Sequence, residues 1–169
     1  MVRRVKLGDA SVIAVAYGCM GLSQAYEPCD EAQGIRTLNA VLDMGYDHLD
    51  TAALYGFGKN EELLNKAIGH RRSEYFLASK CGLYRDVSGK REINGRPEVL
   101  MKTCEDSLRR LGTDCIDLYY LHRIDLNVPV EDSVGALMDM RDQGKIRFIG
   151  LSEPSPETLV KALDICPIA

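Results

Sequence analysis

Short apolar segments alternate with longer amphipathic segments along most of the chain. The longer segments repeat apolar residues at helical spacing, as at Ile35, Leu38 and Leu42, whereas the short ones are the nearly continuous apolar runs typical of buried strands. The pattern predicts strands over 46–50, 75–80, 115–121 and 145–151, and helices over 30–44, 60–68, 97–111, 130–143 and 155–163. Residues 166–169 look like the approach to one further strand.

Two segments depart from this regular alternation. Residues 2–7 and 11–16 predict a β-hairpin or two short strands ahead of the first helix. Residues 82–96 are polar, and glycine follows both Ser88 and Asn94 there, which marks two turns. We therefore expect an N-terminal hairpin and a long loop after the strand that ends near residue 80.

Alternating strands and helices indicate βα units around a parallel sheet, and two architectures fit: a doubly wound open sheet and a (β/α)8 barrel. The dinucleotide fingerprint Gly-x-Gly-x-x-Gly is absent, because Gly56 and Gly58 are followed by Asn60-Glu61 and no third glycine. Barrel enzymes keep their chemistry at the carboxyl ends of the strands. Polar residues stand at the ends of four predicted strands: Asp50, Lys80, His122 and Ser152. The prediction is an α/β fold, a (β/α)8 TIM barrel present only in part, with about five βα units and an N-terminal hairpin.

Composition and charge narrow the function classes. Of the 169 residues, 46% are hydrophobic and 27% charged, which is typical of a globular domain with a real core. The net charge is −4 and the basic pairs are isolated, so we expect no nucleic-acid partner. No apolar run approaches the roughly 20 residues of a membrane span, and the N-terminal apolar run is shorter than a signal-peptide core. We expect no membrane partner and a cytoplasmic location.

Six cysteines are scattered along the chain and form no Cys-x-x-Cys pair. This spacing argues against a zinc site and against a disulfide framework, so we expect no metal. Cys19 and Cys81 adjoin predicted strand ends, yet no catalytic base stands beside them in the sequence. We interpret them as buried apolar groups.

Four residues form the candidate catalytic group: Asp50, Tyr55, Lys80 and His122. A phenol has an ordinary pKa of about 10, so it is a reluctant proton donor at neutral pH. An adjacent lysine ammonium would favour the phenolate and lower that pKa, and Asp50 would keep the lysine charged and directed. His122 would hydrogen-bond and orient the substrate oxygen. Such a group is an acid aimed at a carbonyl oxygen, and the hydride for reduction must come from a cofactor.

The sequence resembles the aldo-keto reductase family. The matching stretches are Leu49-Asp50-Thr51-Ala52, Tyr55-Gly56, Asn60-Glu61, Ala78-Ser79-Lys80, Asp117 to His122, Gly144 to Arg147 and Ile149 to Ser152, and they occur in family order. The long loop after Lys80 and the triplet Leu151-Ser152-Glu153 resemble the branch that contains pyridoxal reductase-like enzymes and potassium-channel β subunits. The resemblance implies a (β/α)8 barrel and an NADPH-dependent reductase of small carbonyl compounds.

The resemblance also implies a role for each site residue. It implies that Tyr55 is the proton donor, that Lys80 and Asp50 tune it, and that His122 orients the substrate. The implied cofactor-binding residues are Gly18, Cys19, Met20, Asp50, Ser152 and Glu153, of which Ser152 matches the residue that hydrogen-bonds the nicotinamide carboxamide. Glu153 stands where many relatives have Asn, and its carboxylate can accept from the carboxamide N–H.

The length departs from the family pattern. A complete barrel needs about 250 residues, so we expect 1–169 to be a partial aldo-keto reductase domain that stops before the sixth strand, with the residues that choose NADP over NAD lying in the missing part. Three functions remain open: a carbonyl reductase, a cofactor-binding regulatory subunit, and an inactive truncated barrel. With both sheet edges open, we expect the isolated chain to self-associate or aggregate and to be a poor enzyme.

Overall fold

The computed structural model describes residues 3–23, 29–85 and 88–169, and nine strands and five α-helices lie within these ranges. The strands are β1 (Arg4–Leu7), β2 (Ala10–Ile13), β3 (Tyr17–Gly18), β4 (His48–Asp50), β5 (Phe76–Cys81), β6 (Leu83–Arg85), β7 (Arg91–Ile93), β8 (Ile116–Leu121) and β9 (Ile146–Leu151). The helices are α1 (Glu31–Asp43), α2 (Lys59–Ile68), α3 (Pro97–Leu111), α4 (Val130–Asp142) and α5 (Pro156–Leu163).

Five of the strands form one parallel sheet in the order β3-β4-β5-β8-β9, and each of the five is followed by one helix. The sheet is therefore a series of five βα units, the number predicted from the sequence. The register places Gly18 beside Asp50, and Lys80 beside Tyr120, which in turn lies beside Gly150. The carboxyl ends of all five strands meet at one edge of the sheet.

The helices begin and end where capping residues predict. The side chain of Asp30 accepts a hydrogen bond from Gln33 N at 2.6 Å and so caps α1. Helix α3 starts at Pro97, where the missing N–H has no cost, and ends at Gly112, which takes a left-handed φ of 63°. Every helix bound lies within about two residues of its predicted position.

The N-terminal strands are shorter than predicted. Residue 2 lies outside the described residues, and β2 ends at Ile13 instead of running on toward residue 16. Ile13 N donates to Asp47 Oδ1 at 2.9 Å, which ties the end of the hairpin to the segment before β4. The chain then turns, and β3 enters the main sheet as a separate strand. The hairpin thus lies apart from the sheet instead of extending it.

The segment predicted as a polar loop contains a second hairpin. Strands β6 and β7 pair antiparallel, with Leu83 opposite Ile93. Tyr84 Oη donates to Glu92 Oε2 at 2.6 Å across the pair. The sequence pattern did not indicate these strands because each has only three residues, and among their six side chains Leu83 is the one buried apolar group. Residues 86 and 87, between the two strands, lie outside the described residues.

The apolar core has two parts. The larger part lies between the helices and the outer face of the sheet and includes Leu38, Leu64, Leu100, Leu137 and Tyr119. The smaller part lies between the β1–β2 hairpin and the inner face, and its buried members are Val12, Phe76, Ala78 and Leu118. The hairpin therefore covers the inner face from one side and leaves the carboxyl ends of the strands free of it. None of the helices in the described part of the chain is long and apolar enough to cross a membrane.

Candidate active site

The predicted residues at the strand ends lie on the inner face of the sheet. Side chains alternate between the two faces of a strand, so even-numbered positions in these four registered strands share one face. Asp50 is the last residue of β4, and Lys80 is the last but one of β5. His122 and Ser152 directly follow β8 and β9. The parallel register thus brings together residues that lie up to about a hundred positions apart in sequence.

Lys80 is the centre of this group and is buried, with 8% of its surface exposed. Its ammonium contacts the Asp50 carboxylate and donates to the backbone carbonyl of Thr51 at 2.8 Å. Nζ also lies 5.2 Å from the centroid of the Tyr55 ring. Two of the three N–H groups therefore have oxygen acceptors, and the ammonium lies close to the Tyr55 ring.

Tyr55 is carried by a tight turn between β4 and α2. Gly56, Phe57 and Gly58 have left-handed φ values of 58°, 58° and 87° in succession. A Cβ added to Gly58 would lie 2.7 Å from the Arg110 side chain, so glycine is required there for space as well as for conformation. This turn reverses the chain over the strand end and points Tyr55 at the inner face, where its ring meets that of His122 edge-on at 6.0 Å.

His122 is buried, and its Nδ1 has no hydrogen-bond partner among the residues that the structure describes. Burial lowers its pKa to about 4, and the nearby cations Lys80, Arg123 and Arg91 act in the same direction. The imidazole is therefore neutral at pH 7, with one nitrogen that donates and one that accepts. A neutral ring can orient a polar ligand but does not supply a proton at this pH.

The residues expected to contact a cofactor fit that role in different degrees. Gly18 ends β3 beside Asp50, and no atom lies within 4 Å of the place where a Cβ would stand, so its backbone faces open space. The thiol of Cys19 is buried, and burial raises its pKa to about 12, which supports packing and not nucleophilic chemistry. Met20 is half-buried in the short 3-10 turn Cys19–Leu22.

Ser152 and Glu153 lie at the opposite side of the same edge. Ser152 is half-buried, and its Oγ accepts from Arg123 Nη1 at 3.0 Å. Glu153 has a left-handed φ of 53°, and its exposed carboxylate pairs with Arg123 Nη2 at 3.2 Å. An open glycine backbone at Gly18 and a serine hydroxyl at Ser152 are groups that can contact a nicotinamide ring and its carboxamide, so the residues present fit such a cofactor.

Sequence reasoning missed three residues that support the site. Asn60 is fully buried and joins two strand-end loops: its Oδ1 accepts from the Thr51 hydroxyl at 2.6 Å, and its Nδ2 donates to Cys19 O at 2.9 Å.

The second missed residue is Tyr120, which lies over Lys80 with Nζ 5.7 Å from its ring centroid. A Cβ on Gly150 would stand 2.4 Å from that ring, and a glycine inside an apolar strand was the available signal.

The third missed residue is Arg123, which follows His122 directly. Its Nη1 donates to His122 O at 2.7 Å as well as to Ser152 Oγ, and its Nη2 reaches Glu153. The sequence signal was only its adjacency to a candidate catalytic histidine. Its partners lie 29 and 30 positions away and could be assigned only from the register of β8 and β9.

The fold is an incomplete parallel α/β barrel whose polar groups gather at the carboxyl ends of the strands, the place where barrel enzymes act. The chain belongs to the aldo/keto reductase family, whose family model matches residues 14–169. Members of this family are in general NADP-dependent oxidoreductases that reduce carbonyl compounds. The predicted family is therefore confirmed.

Two curated relatives show how much of a family member is present. An aldo-keto reductase of Schizosaccharomyces pombe, yakc, whose name specifies NADP(+), is 40% identical over 167 residues, or 97% of this chain and 49% of that protein. A probable aldo-keto reductase of Glycine max is 40% identical over 171 residues, or 99% of this chain and 49% of that protein. The chain thus spans about half the length of the curated relatives it matches.

Solved structures also match nearly all of this chain and little more than half of their own length. An aldo-keto reductase from Bacillus halodurans, in its holo form, superposes with a TM-score of 0.88 at 34% identity and is matched over 99% of this chain and 56% of its own. A glycerol dehydrogenase from Gluconobacter oxydans superposes with a TM-score of 0.86 at 34% identity, over 99% of this chain and 53% of its own. The predicted incomplete (β/α)8 barrel is confirmed by these superpositions together with the five parallel strands.

Proposed function

We propose that this chain supplies the proton-donating half of an NADPH-dependent reductase that converts an aldehyde or ketone to an alcohol. The observation that carries the proposal is the position of the Lys80 ammonium, which contacts Asp50, donates to Thr51 O and lies 5.2 Å from the Tyr55 ring centroid. A cation fixed beside a phenol on the inner edge of a barrel sheet can stabilise negative charge that develops on the phenol oxygen when it gives up its proton.

Tyr55 is the proposed proton donor. In the transition state the carbonyl oxygen gains negative charge and takes the proton of the Tyr55 hydroxyl. Lys80 then stabilises the phenolate that remains, and Asp50 holds the ammonium in place. When bound, NADPH supplies the hydride that forms the new C–H bond at the carbonyl carbon. The cofactor would supply one hydrogen with two electrons as hydride and Tyr55 one proton, so the addition of two hydrogens to the carbonyl balances.

His122 is the proposed substrate-orienting residue. Its ring meets Tyr55 edge-on at 6.0 Å, so a carbonyl oxygen in reach of the Tyr55 hydroxyl is also near the imidazole. A neutral imidazole donates one hydrogen bond to that oxygen without competing as an acid. The lowered pKa of His122 keeps it neutral throughout the physiological range.

Residues 1–169 are proposed to be the first part of the barrel domain, with the remainder supplied by further chain or by a partner. Among the described residues no strand pairs with the outer edges of β3 and β9, where Ile149 O accepts only from Ala169 N at 2.9 Å, and a barrel removes such edges by closing. We therefore propose that residues 1–169 alone self-associate through these edges and show little or no reductase activity.

The test measures hydride transfer directly. NADPH deuterated at C4 is incubated with a panel of aldehydes, and deuterium in the product alcohol is measured by mass spectrometry. The whole protein that carries residues 1–169 is expected to transfer deuterium, and residues 1–169 alone to transfer almost none. Lys80→Met should abolish transfer, and Lys102→Met, at an exposed lysine on α3, is the matched control that should leave it unchanged.

Each outcome separates the functions that the sequence left open. Transfer that depends on Lys80 supports the reductase. NADPH binding without transfer to any aldehyde would favour a cofactor-binding subunit, and absence of binding would identify an inactive barrel. A soluble monomer of residues 1–169 that reduces aldehydes rapidly would contradict the proposal that the second half of the barrel is needed.

A further inference from the structure

Arg123 occupies the boundary between β8 and β9 and contacts three groups there. Its Nη1 donates to His122 O at 2.7 Å and to Ser152 Oγ at 3.0 Å, and its Nη2 donates to Glu153 Oε1 at 3.2 Å. The side chain is 35% exposed, so most of it is packed into the edge of the site. None of the roles proposed above requires it.

The chemistry of the Arg123 guanidinium and the Ser152 hydroxyl determines which of the two donates in their contact. A guanidinium carries only donors, so Ser152 Oγ is necessarily the acceptor in its contact with Arg123. The hydroxyl proton of Ser152 therefore points away from Arg123. Among residues 3–23, 29–85 and 88–169, no acceptor receives that proton. The serine is thus left with one free donor at the inner edge of the sheet.

We propose that Arg123 is a positioning residue that makes Ser152 a hydrogen-bond donor toward a ligand carbonyl oxygen. Resting on the proposed function, the inference assigns that oxygen to the carbonyl of a pyridine-3-carboxamide cofactor. Without Arg123, the hydroxyl rotates freely and can equally accept from the amide N–H2 of the carboxamide. With Arg123, the hydroxyl proton is directed away from the guanidinium and one lone pair is occupied, which favours the carbonyl of the carboxamide as the partner of Ser152.

Glu153 has a supporting part in this arrangement. Its carboxylate holds the second nitrogen of the Arg123 guanidinium, and its left-handed φ of 53° brings it to that position directly after Ser152. Glu153 is therefore assigned to Arg123 and not to the carboxamide N–H. The nicotinamide ring is oriented through one serine donor, which is itself fixed by an arginine.

The test compares two cofactors that differ only in the group on the pyridine ring. NADPH carries a carboxamide, and its reduced 3-acetylpyridine analogue keeps the carbonyl but lacks the amide N–H2. Dissociation constants are measured by fluorescence in the whole protein that carries residues 1–169. The variants are Ser152→Ala, Arg123→Met, the double variant and Arg123→Lys, with Arg109→Met at an exposed arginine as the matched control.

Ser152→Ala is expected to weaken binding of both cofactors about 5- to 10-fold, the loss of one hydrogen bond. Arg123→Met should give a smaller loss, about 2- to 5-fold for the acetylpyridine analogue and less for NADPH, because the released hydroxyl can still donate to the carbonyl and can also accept from the amide. The double variant should bind no more weakly than Ser152→Ala, because Arg123 acts through Ser152. Arg123→Lys retains a donor and should restore part of the affinity. In the cofactor-free protein, the Nη signals of Arg123 in nitrogen-15 NMR should shift when Ser152 is replaced by alanine.

Three results would overturn the inference. A loss in Ser152→Ala that affects NADPH but not the acetylpyridine analogue would show that the hydroxyl accepts from the amide. Additive losses in the double variant would show that Arg123 does not act through Ser152. Failure of the unaltered protein to bind either cofactor would reject the proposed function and this inference together, a pattern distinct from the other two.

Discussion

The two ends of the parallel sheet hold their buried charges in different ways. Near the amino ends of the strands, Asp117 accepts from Arg72 at 2.7 Å, from Arg147 at 2.8 Å and from Leu77 N at 2.9 Å. At the carboxyl ends, Lys80 is fixed on two sides only, and Nδ1 of buried His122 has no partner among the described residues. The first network is closed, and the second leaves polar groups for a ligand.

The two ends therefore differ in how completely their buried polar groups are hydrogen-bonded. Asp117 belongs to the same family motif as His122, which follows it by five positions, whereas Arg72 and Arg147 lie elsewhere in the chain. The saturated group joins β5, β8 and β9 and contributes to stability, because a buried carboxylate must be paired. The unsaturated group leaves free donors and acceptors, at a cost in stability that a bound ligand offsets.

The largest expected effect is on turnover and concerns Tyr55, at the carboxyl ends of the strands. In the whole protein that carries residues 1–169, Tyr55→Phe keeps the ring and removes the proposed proton donor, so turnover should fall by roughly 10²–10⁴-fold. NADPH affinity should be nearly unchanged, because the hydroxyl acts on the carbonyl substrate. Steady-state kinetics and a cofactor titration measure the two quantities. Tyr46→Phe is the matched control, since that tyrosine lies before β4 and outside the site. Full activity in Tyr55→Phe would exclude it as the acid.

At the amino ends of the strands, we expect a change in the Asp117 network to lower the stability of the fold. Asp117→Ala leaves two arginines without their shared carboxylate and should lower the free energy of unfolding by about 3 kcal/mol. Urea denaturation measures this loss. The control is Asp106→Ala, at an exposed pair of ions on α3, which should cost less than about 1 kcal/mol. Equal losses in the two variants would show that the network around Asp117 contributes no more to stability than the exposed ion pairs of Asp106.

His122 predicts a dependence of stability on pH. Its pKa falls from 6.5 to about 4 on folding, so between these values the unfolded state binds more protons than the folded state. The stabilisation is fully present above pH 6.5 and is lost as the pH falls to about 4, by up to about 3 kcal/mol. His122→Gln should remove this part of the pH profile.

The measurement for His122 is a series of denaturation curves between pH 4 and pH 7, taken as a difference from the unaltered protein. Carboxylates titrate in both proteins and cancel in that difference. His70→Gln, at an exposed histidine after α2, is the control and should leave the profile as it is. A profile unaffected by His122→Gln would mean that the imidazole is not shielded from water.

The smallest expected effect concerns Glu153. Its φ of 53° is unfavourable for glutamate and is tolerated by asparagine. Its pair with Arg123 is exposed and contributes little to stability. Glu153→Asn should therefore raise the free energy of unfolding by about 0.5–1 kcal/mol, measured by urea denaturation. Glu157→Asn, in the first turn of α5, should give no gain. Destabilisation by Glu153→Asn would show that the ion pair outweighs the strain.

Much of the fold was predictable because its signals are local. A capping Asp30, a stopping glycine and helical spacing define α1 without any knowledge of its neighbours. The strand ends carrying Asp50, Lys80 and His122 were predictable for the same reason. The contact between Arg123 and Ser152 depends on the β8–β9 register, which no local pattern encodes. Strands β6 and β7 were missed because cross-strand pairing, not apolar content, holds them.

The β1–β2 hairpin has a consequence for the order of folding. It is attached at both sides of the sheet: Arg4 pairs with Asp47 ahead of β4, and Asp9 pairs with Arg147 in β9, 138 positions away. Gly8 lies so close to Phe148 that a Cβ would stand 2.1 Å from the ring. Such distant contacts need most of the chain to be ordered first. The hairpin precedes the strands of the sheet in the sequence, yet it is expected to dock after they have paired.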